Sequence, residues 1–185
     1  FIERLFYGHL SSEVMEAAVI TFFVYGVFQA PCLVIAMMAQ VSVGRLEGAS
    51  QREHIGSTVW QFIWFSLLSA FITTPLGMLF GVYYFEGTSI GPIAMPYLFC
   101  LLAFTFLYPL GISLSSFYIG RGKTQLCLLA NVAVCCVNLL IAYPFILGIE
   151  GWIPSYGLLG GALSNLVAQS GFVVALFTTF LSSKY

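Results

Sequence analysis

Residues 124–148 read TQLCLLANVAVCCVNLLIAYPFILG, a run without one charged side chain. An α-helix needs about 20 predominantly apolar residues to cross the hydrocarbon core of a bilayer, and this run exceeds that. A membrane β-strand would be roughly 10 residues of alternating polarity. The run is longer and does not alternate, so it predicts an all-α integral membrane fold.

The same reading extends outward. Stretches 17–44, 54–85, 87–120 and 151–183 are also free of Asp, Glu, Lys and Arg. Each accommodates one span with an interfacial margin. With a stub before Gly8, the predicted spans are 1–8 (partial), 16–43, 55–84, 93–118, 125–147 and 158–182. Turn-forming residues separate them at 9–12, 44–50, 86–92, 120–124 and 148–154, where Gly and Pro stop helices. The chain opens on Phe1-Ile2-Glu3-Arg4, with no initiator Met, charged n-region or cleavage site. The stub is therefore expected to be the cut end of a helix rather than a signal peptide.

Composition excludes the soluble alternatives. Hydrophobic residues make up 60% of the chain and charged residues 7%, against about 25% charged in soluble domains. The expected surroundings are the lipid bilayer. A net charge of −1 without a basic patch makes nucleic acid a poor partner. Cys32, Cys100, Cys127, Cys135 and Cys136 lie mostly within apolar runs and lack zinc-ligand spacing. They read as small packing residues, not a disulfide framework.

Basic residues set the orientation. Arg45 and Arg52 fall in the second loop, Arg121 and Lys123 in the fourth, and Lys184 after the last span; Glu13, Glu16, Glu86 and Glu150 mark the other loops. The even loops, the N-terminus and the residue 185 end are expected to be cytoplasmic. Six helices with both ends inside suit one half of a transporter.

Prolines 31, 75, 109 and 144 interrupt spans. Each reads as a helix kink or as a hinge. Gly77-x-x-x-Gly81 and Gly157-x-x-x-Gly161 read as helix contact faces.

Polar groups inside spans need partners. Glu3 lies about 8–12 Å along its helix from the outer mouth. Its carboxylate would either pair with Arg4 and water or bind and release a proton. Asn131, Cys135, Asn138 and Ala142 share one helix face. Tyr25 with Gln29, and Ser164 and Asn165 with Gln169, form similar patches. These groups either bond between helices or line a central cavity. Gly122-Lys123-Thr124 resembles the end of a P-loop, but Phe117 stands where that motif needs Gly, and an apolar helix precedes it. No nucleophile elbow, metal-ligand helix motif or catalytic dyad is present, so an enzyme is not expected.

Several segments in order resemble the multidrug and toxic compound extrusion (MATE) transporters. They are Phe1-Ile-Glu-Arg-Leu-Phe-Tyr-Gly8 with Glu16-Ala-Ala18, Ala39-Gln40-x-x-x-Gly44-x-x-x-Gly48-Ala49, Trp60-Gln61, Tyr118-Ile-Gly-Arg-Gly-Lys-Thr124, and Asn138 followed by Ile146-Leu-Gly148, Tyr156-Gly157 and Gly160-Gly-Ala-Leu-Ser-Asn165. The resemblance runs along the whole chain. It implies that residues 1–185 are the N-terminal transmembrane lobe, with a truncated first helix, of a twelve-helix antiporter in the cell (inner) membrane. Such a protein exports organic cations against protons or sodium ions and needs a C-terminal lobe, missing here, but no cofactor beyond the coupling ion. Glu3, Asn138 and Asn165 match the family's cation- or proton-coupling positions. Tyr25, Gln29, Asn131, Ser164 and Gln169 are the cavity-lining candidates. Glu3 stands where Asp is commoner, Ala142 where some members carry a second acid, and Asn165 where the family has Thr. These departures favour proton chemistry on one carboxylate. The alternatives are a lipid-linked oligosaccharide flippase of the same superfamily, which usually carries basic residues in its cavity, and a non-transporting membrane fragment.

The topology is testable. Single cysteines at Ser50 and Thr124 should resist an impermeant thiol reagent in intact cells, whereas those at Thr88 and Ser155 should react. The reverse pattern would invert the orientation.

Overall fold

The computed structural model describes residue 7 and residues 11–148 and 155–182. Its helices are α1 (Ser12–Gly48), α2 (Ile55–Phe85, entered through a 3-10 turn at Arg52–His54), α3 (Gly91–Ala103), α4 (Leu107–Gly120), α5 (Thr124–Leu147) and α6 (Leu158–Ser182). No strand occurs among the described residues. With α3 and α4 taken together as one crossing, five segments among the described residues are long and apolar enough to span a membrane.

Local chemistry sets the helix ends. Ser11 is extended, and its hydroxyl accepts the Val14 N–H at 3.2 Å. This satisfies one of the free donors of the first turn, and Glu13 in that turn complements the helix dipole. α1 has 37 residues, about 55 Å of helix, against a core of about 30 Å. It runs past both limits of the expected 16–43 span and carries Arg45 and Glu47 beyond the apolar layer. α5 stops at Gly148, whose φ of 78° suits a residue without a Cβ.

Pro31, Pro75 and Pro144 sit inside unbroken helices. The expected 93–118 span, in contrast, is broken at residues 104–106. Pro109 has no N–H and its ring crowds the carbonyl four residues back, which belongs to Thr105. The chain crosses this point on tighter bonds, from the Thr105 N–H to the Leu102 oxygen (3.2 Å) and from the Leu107 N–H to the Phe104 oxygen (3.1 Å).

The broken span is the centre of the bundle. α3 packs on α1, α2 and α6, and α4 on α1, α2, α5 and α6. Of its most apolar stretch, 56% is buried, against 11% for α5 at the periphery. The buried side chains form two clusters. One gathers Phe85, Leu98, Leu102 and Ile146 around α3; the other gathers Leu114, Phe117, Leu176 and Phe180 around α4. The break falls between them. Outward-facing Phe71, Tyr83 and Leu140 are each more than three-quarters exposed, as lipid-facing side chains should be.

Small residues bring the helices close. Gly77 and Gly81 of α2 seat Leu102 and Leu98 of α3. The second glycine pair differs from expectation. Gly157 lies in the turn before α6, with φ of 53°, and it is Gly160 and Gly161 that make the contacts. Gly160 meets the Phe145 backbone of α5, and Gly161 meets the Tyr7 hydroxyl.

A Cβ at position 160 would strike the Phe145 carbonyl, which cannot rotate away as a side chain could. Gly160→Ala should therefore cost about 1–3 kcal/mol, read as a lower Tm in detergent. Gly171→Ala, where a Cβ meets nothing within 4 Å, should hold or raise the Tm through helix propensity. Equal Tm changes would contradict the α5–α6 contact.

Candidate functional site

Gln29 of α1 is buried among apolar helices, and both the nitrogen and the oxygen of its amide are bonded. Its Nε2 donates to the Thr105 carbonyl oxygen at 3.0 Å, the acceptor that Pro109 leaves without a helical donor. The Thr105 hydroxyl donates back to Gln29 Oε1. A side chain on α1 thus replaces the missing backbone bond of the central span. Thr74 of α2 gives the Leu102 carbonyl a similar bond at 2.9 Å.

Two cavities lie beside this waist. The first, about 450 Å³, is bounded by Tyr25 and Gln29 of α1, Tyr97 and Tyr108 of the broken span, Asn165 of α6, and Tyr7. Tyr25 stands edge-on to Tyr108, with ring centres 6.4 Å apart and an interplanar angle of 62°. Three of the residues singled out from sequence, Tyr25, Gln29 and Asn165, therefore share one cavity. The second, about 350 Å³, holds two more, Asn131 and Gln169, with Gln40, Ser115 and Ser116. Leu33 and Tyr108 line both. The described lining residues of the two cavities include no Asp, Glu, Lys or Arg.

The remaining candidates lie elsewhere. Ser164 is fully buried, its hydroxyl donates to the Gly161 carbonyl of its own helix at 2.9 Å, and it lines neither cavity. Serine satisfies itself this way within a helix, so its polarity needed no cavity. Asn138 is half-buried and also lines neither. It precedes Phe145 by about 10 Å of helix, while Asn165 follows Gly160 by about 7.5 Å. Since Phe145 and Gly160 touch, the two asparagines stand at similar depth on neighbouring helices. The expected face of Asn131, Cys135, Asn138 and Ala142 does not line a single cavity: Ala142 is buried, whereas Asn131 and Cys135 are exposed. Glu3 lies outside the described residues.

Tyr97 and Tyr108 were not apparent from the sequence, because aromatic residues are spread throughout these spans. Tyr108 adjoins Pro109, so a proline-induced break is the signal that marks it.

The end of the bundle beyond the second cavity is held by charge. Glu47 pairs with Arg52 at 2.7 Å and with Arg121 at 3.3 Å, the latter without hydrogen-bond alignment. The Arg121 guanidinium lies over the Phe117 ring, 5.2 Å from its centre. Gly120 lets α4 lie against Val43 and the Gln40 carbonyl of α1, so the C-terminal ends of both helices meet here.

A family model described as MatE matches residues 1–144. Over 187 aligned positions the chain is 25% identical to a protein of Thermotoga maritima named probable multidrug resistance protein NorM. The alignment covers 98% of this chain but only 39% of that relative's length.

Proposed function

The chain belongs to the MatE family, and on that premise we propose that it is the N-terminal lobe of a secondary antiporter that exports organic cations in exchange for protons or sodium ions. The observation that carries this reading is the tyrosine-lined cavity between apolar, membrane-length helices. At about 450 Å³ it falls within the roughly 300–1,000 Å³ of small-molecule sites. Tyr25, Tyr97 and Tyr108 supply aromatic rings, whose electron density attracts organic cations, and Asn165 adds a polar contact. The name of the Thermotoga maritima relative supports drug export, and the 39% coverage supports a second lobe as partner. The absence of Lys and Arg from the described lining favours organic cations over the pyrophosphate of a lipid-linked sugar. The reading is of a transporter, not an enzyme, in the inner membrane with both ends of the lobe cytoplasmic. Glu3, with Asn138 and Asn165, is the proposed coupling set.

Gradient-dependent dye efflux from efflux-deficient cells tests this. The full-length parent should export, and residues 1–185 alone should not, because alternating access moves one lobe against another. Gly26→Trp places an indole in the cavity at a position where a Cβ meets nothing within 4 Å. It should abolish efflux at normal expression. Glu3→Gln, which keeps the size but cannot ionise, should do the same. Efflux at the parental rate by Gly26→Trp would remove the cavity from the reading, and by Glu3→Gln would remove that carboxylate.

A further inference from the structure

The two cavities lie end to end along the same helices. On α1, residues Ala18 to Leu33 border the first and Leu33 to Gln40 the second, about 22 Å and 10 Å of helix. α6 passes from Asn165 at the first to Gln169 and Phe172 at the second, and α4 enters the second beyond Tyr108. The Tyr108 ring stands where they meet.

Their chemistry differs. The first is lined mainly by tyrosine and apolar residues; the second presents Gln40, Ser115, Ser116, Asn131 and Gln169. Several of these donors are already committed. The Asn131 amide N–H bonds the Cys127 carbonyl at 2.8 Å, the Gln169 amide N–H reaches the Leu107 carbonyl at 3.5 Å, and the Ser115 hydroxyl bonds the Gly111 carbonyl at 2.8 Å. Each committed amide keeps one N–H and a carbonyl oxygen with two lone pairs, and a committed hydroxyl keeps only its lone pairs. The second chamber is thus weighted towards acceptors, without a carboxylate among its described lining. Its best complement is a ligand group that brings donors.

We propose that this inner chamber is a second subsite, which takes the donor-bearing arm (a protonated amine) of an organic cation whose ring system occupies the tyrosine-lined chamber. The Tyr108 ring marks the waist across which such a ligand lies. The inference rests on the export reading above and adds to it a preference among cations: at equal charge and ring system, an arm ending in N–H donors binds more tightly than one ending in methyl groups. A site built to hydrogen-bond an N–H discriminates against the analogue lacking it, because the acceptors are then left unpaired.

The test uses the full-length parent in detergent and two fluorescent dyes, 9-(4-aminobutylamino)acridine and its terminal trimethylammonium counterpart. They share ring and charge and differ in the terminal N–H donors. The parent should bind the primary amine at least about fivefold more tightly, the worth of one added hydrogen bond. Gln169→Leu and Asn131→Leu should each erase that preference and leave affinity for the trimethylammonium dye within about twofold. Asn131 is exposed on the peripheral α5, so its variant keeps the test valid if Gln169→Leu misfolds. Equal affinity of the parent for both dyes, a preference that survives substitution, or equal loss of both dyes would overturn the inner subsite while leaving the export reading standing. Failure of the parent to bind either dye would overturn both.

Discussion

The fold depends on one carbonyl. In hydrocarbon there is no water to take up an unpaired backbone group, and each one costs several kcal/mol. Pro109 removes the donor that Thr105 would have in a continuous helix. The Gln29 amide supplies it from α1 at 3.0 Å. That bond ties α1 to the most buried span. It also places the break where the two apolar clusters separate and where Tyr108 divides the two cavities. A break facing lipid would be untenable; here it lies against a neighbouring helix and beside two cavities.

Other constraints act around this waist. Leu98 and Leu102 of α3 are held in the glycine notches of α2. On the α4 side, Ser66 and Ser113 approach to 3.2 Å, and the Tyr118 hydroxyl lies 2.6 Å from that of Thr179. Glu47 joins the ends of α1 and α4 through Arg121. A partly buried ion pair costs desolvation, and Arg52 and the Phe117 ring help offset that cost. α5 packs mainly on α6, so little of it is buried.

The class of the protein was legible because charge is so sparse that the charged residues mark loops and the ends of helices. Helical periodicity was less informative inside the spans. Tyr25 and Gln29, four residues apart, do share a cavity, but Asn165 and its neighbour Ser164 do not. Adjacent residues on a helix point about 100° apart, and serine can satisfy itself on its own backbone. Four prolines looked alike in sequence. Only Pro109 lies at a break, because Thr105 can be met by a glutamine from another helix, a pairing 76 positions apart in the chain that no local pattern reveals. The Glu47–Arg121 pair was hidden for the same reason. The tyrosines were hidden by abundance, since an aromatic residue in an apolar span signals packing before it signals a cavity.

The dependence on that carbonyl can be measured directly by comparing the stability cost of Gln29→Leu in the parental background with its cost after Pro109→Ala. An alanine at 109 restores the N–H that Thr105 lacks. In the parental background Gln29→Leu should cost about 1–3 kcal/mol, the penalty for buried groups left unpaired. After Pro109→Ala most of that cost should disappear, because the backbone can satisfy the carbonyl itself. An equal cost in both backgrounds would contradict the account, since Gln29 would then stabilise the lobe independently of the proline break.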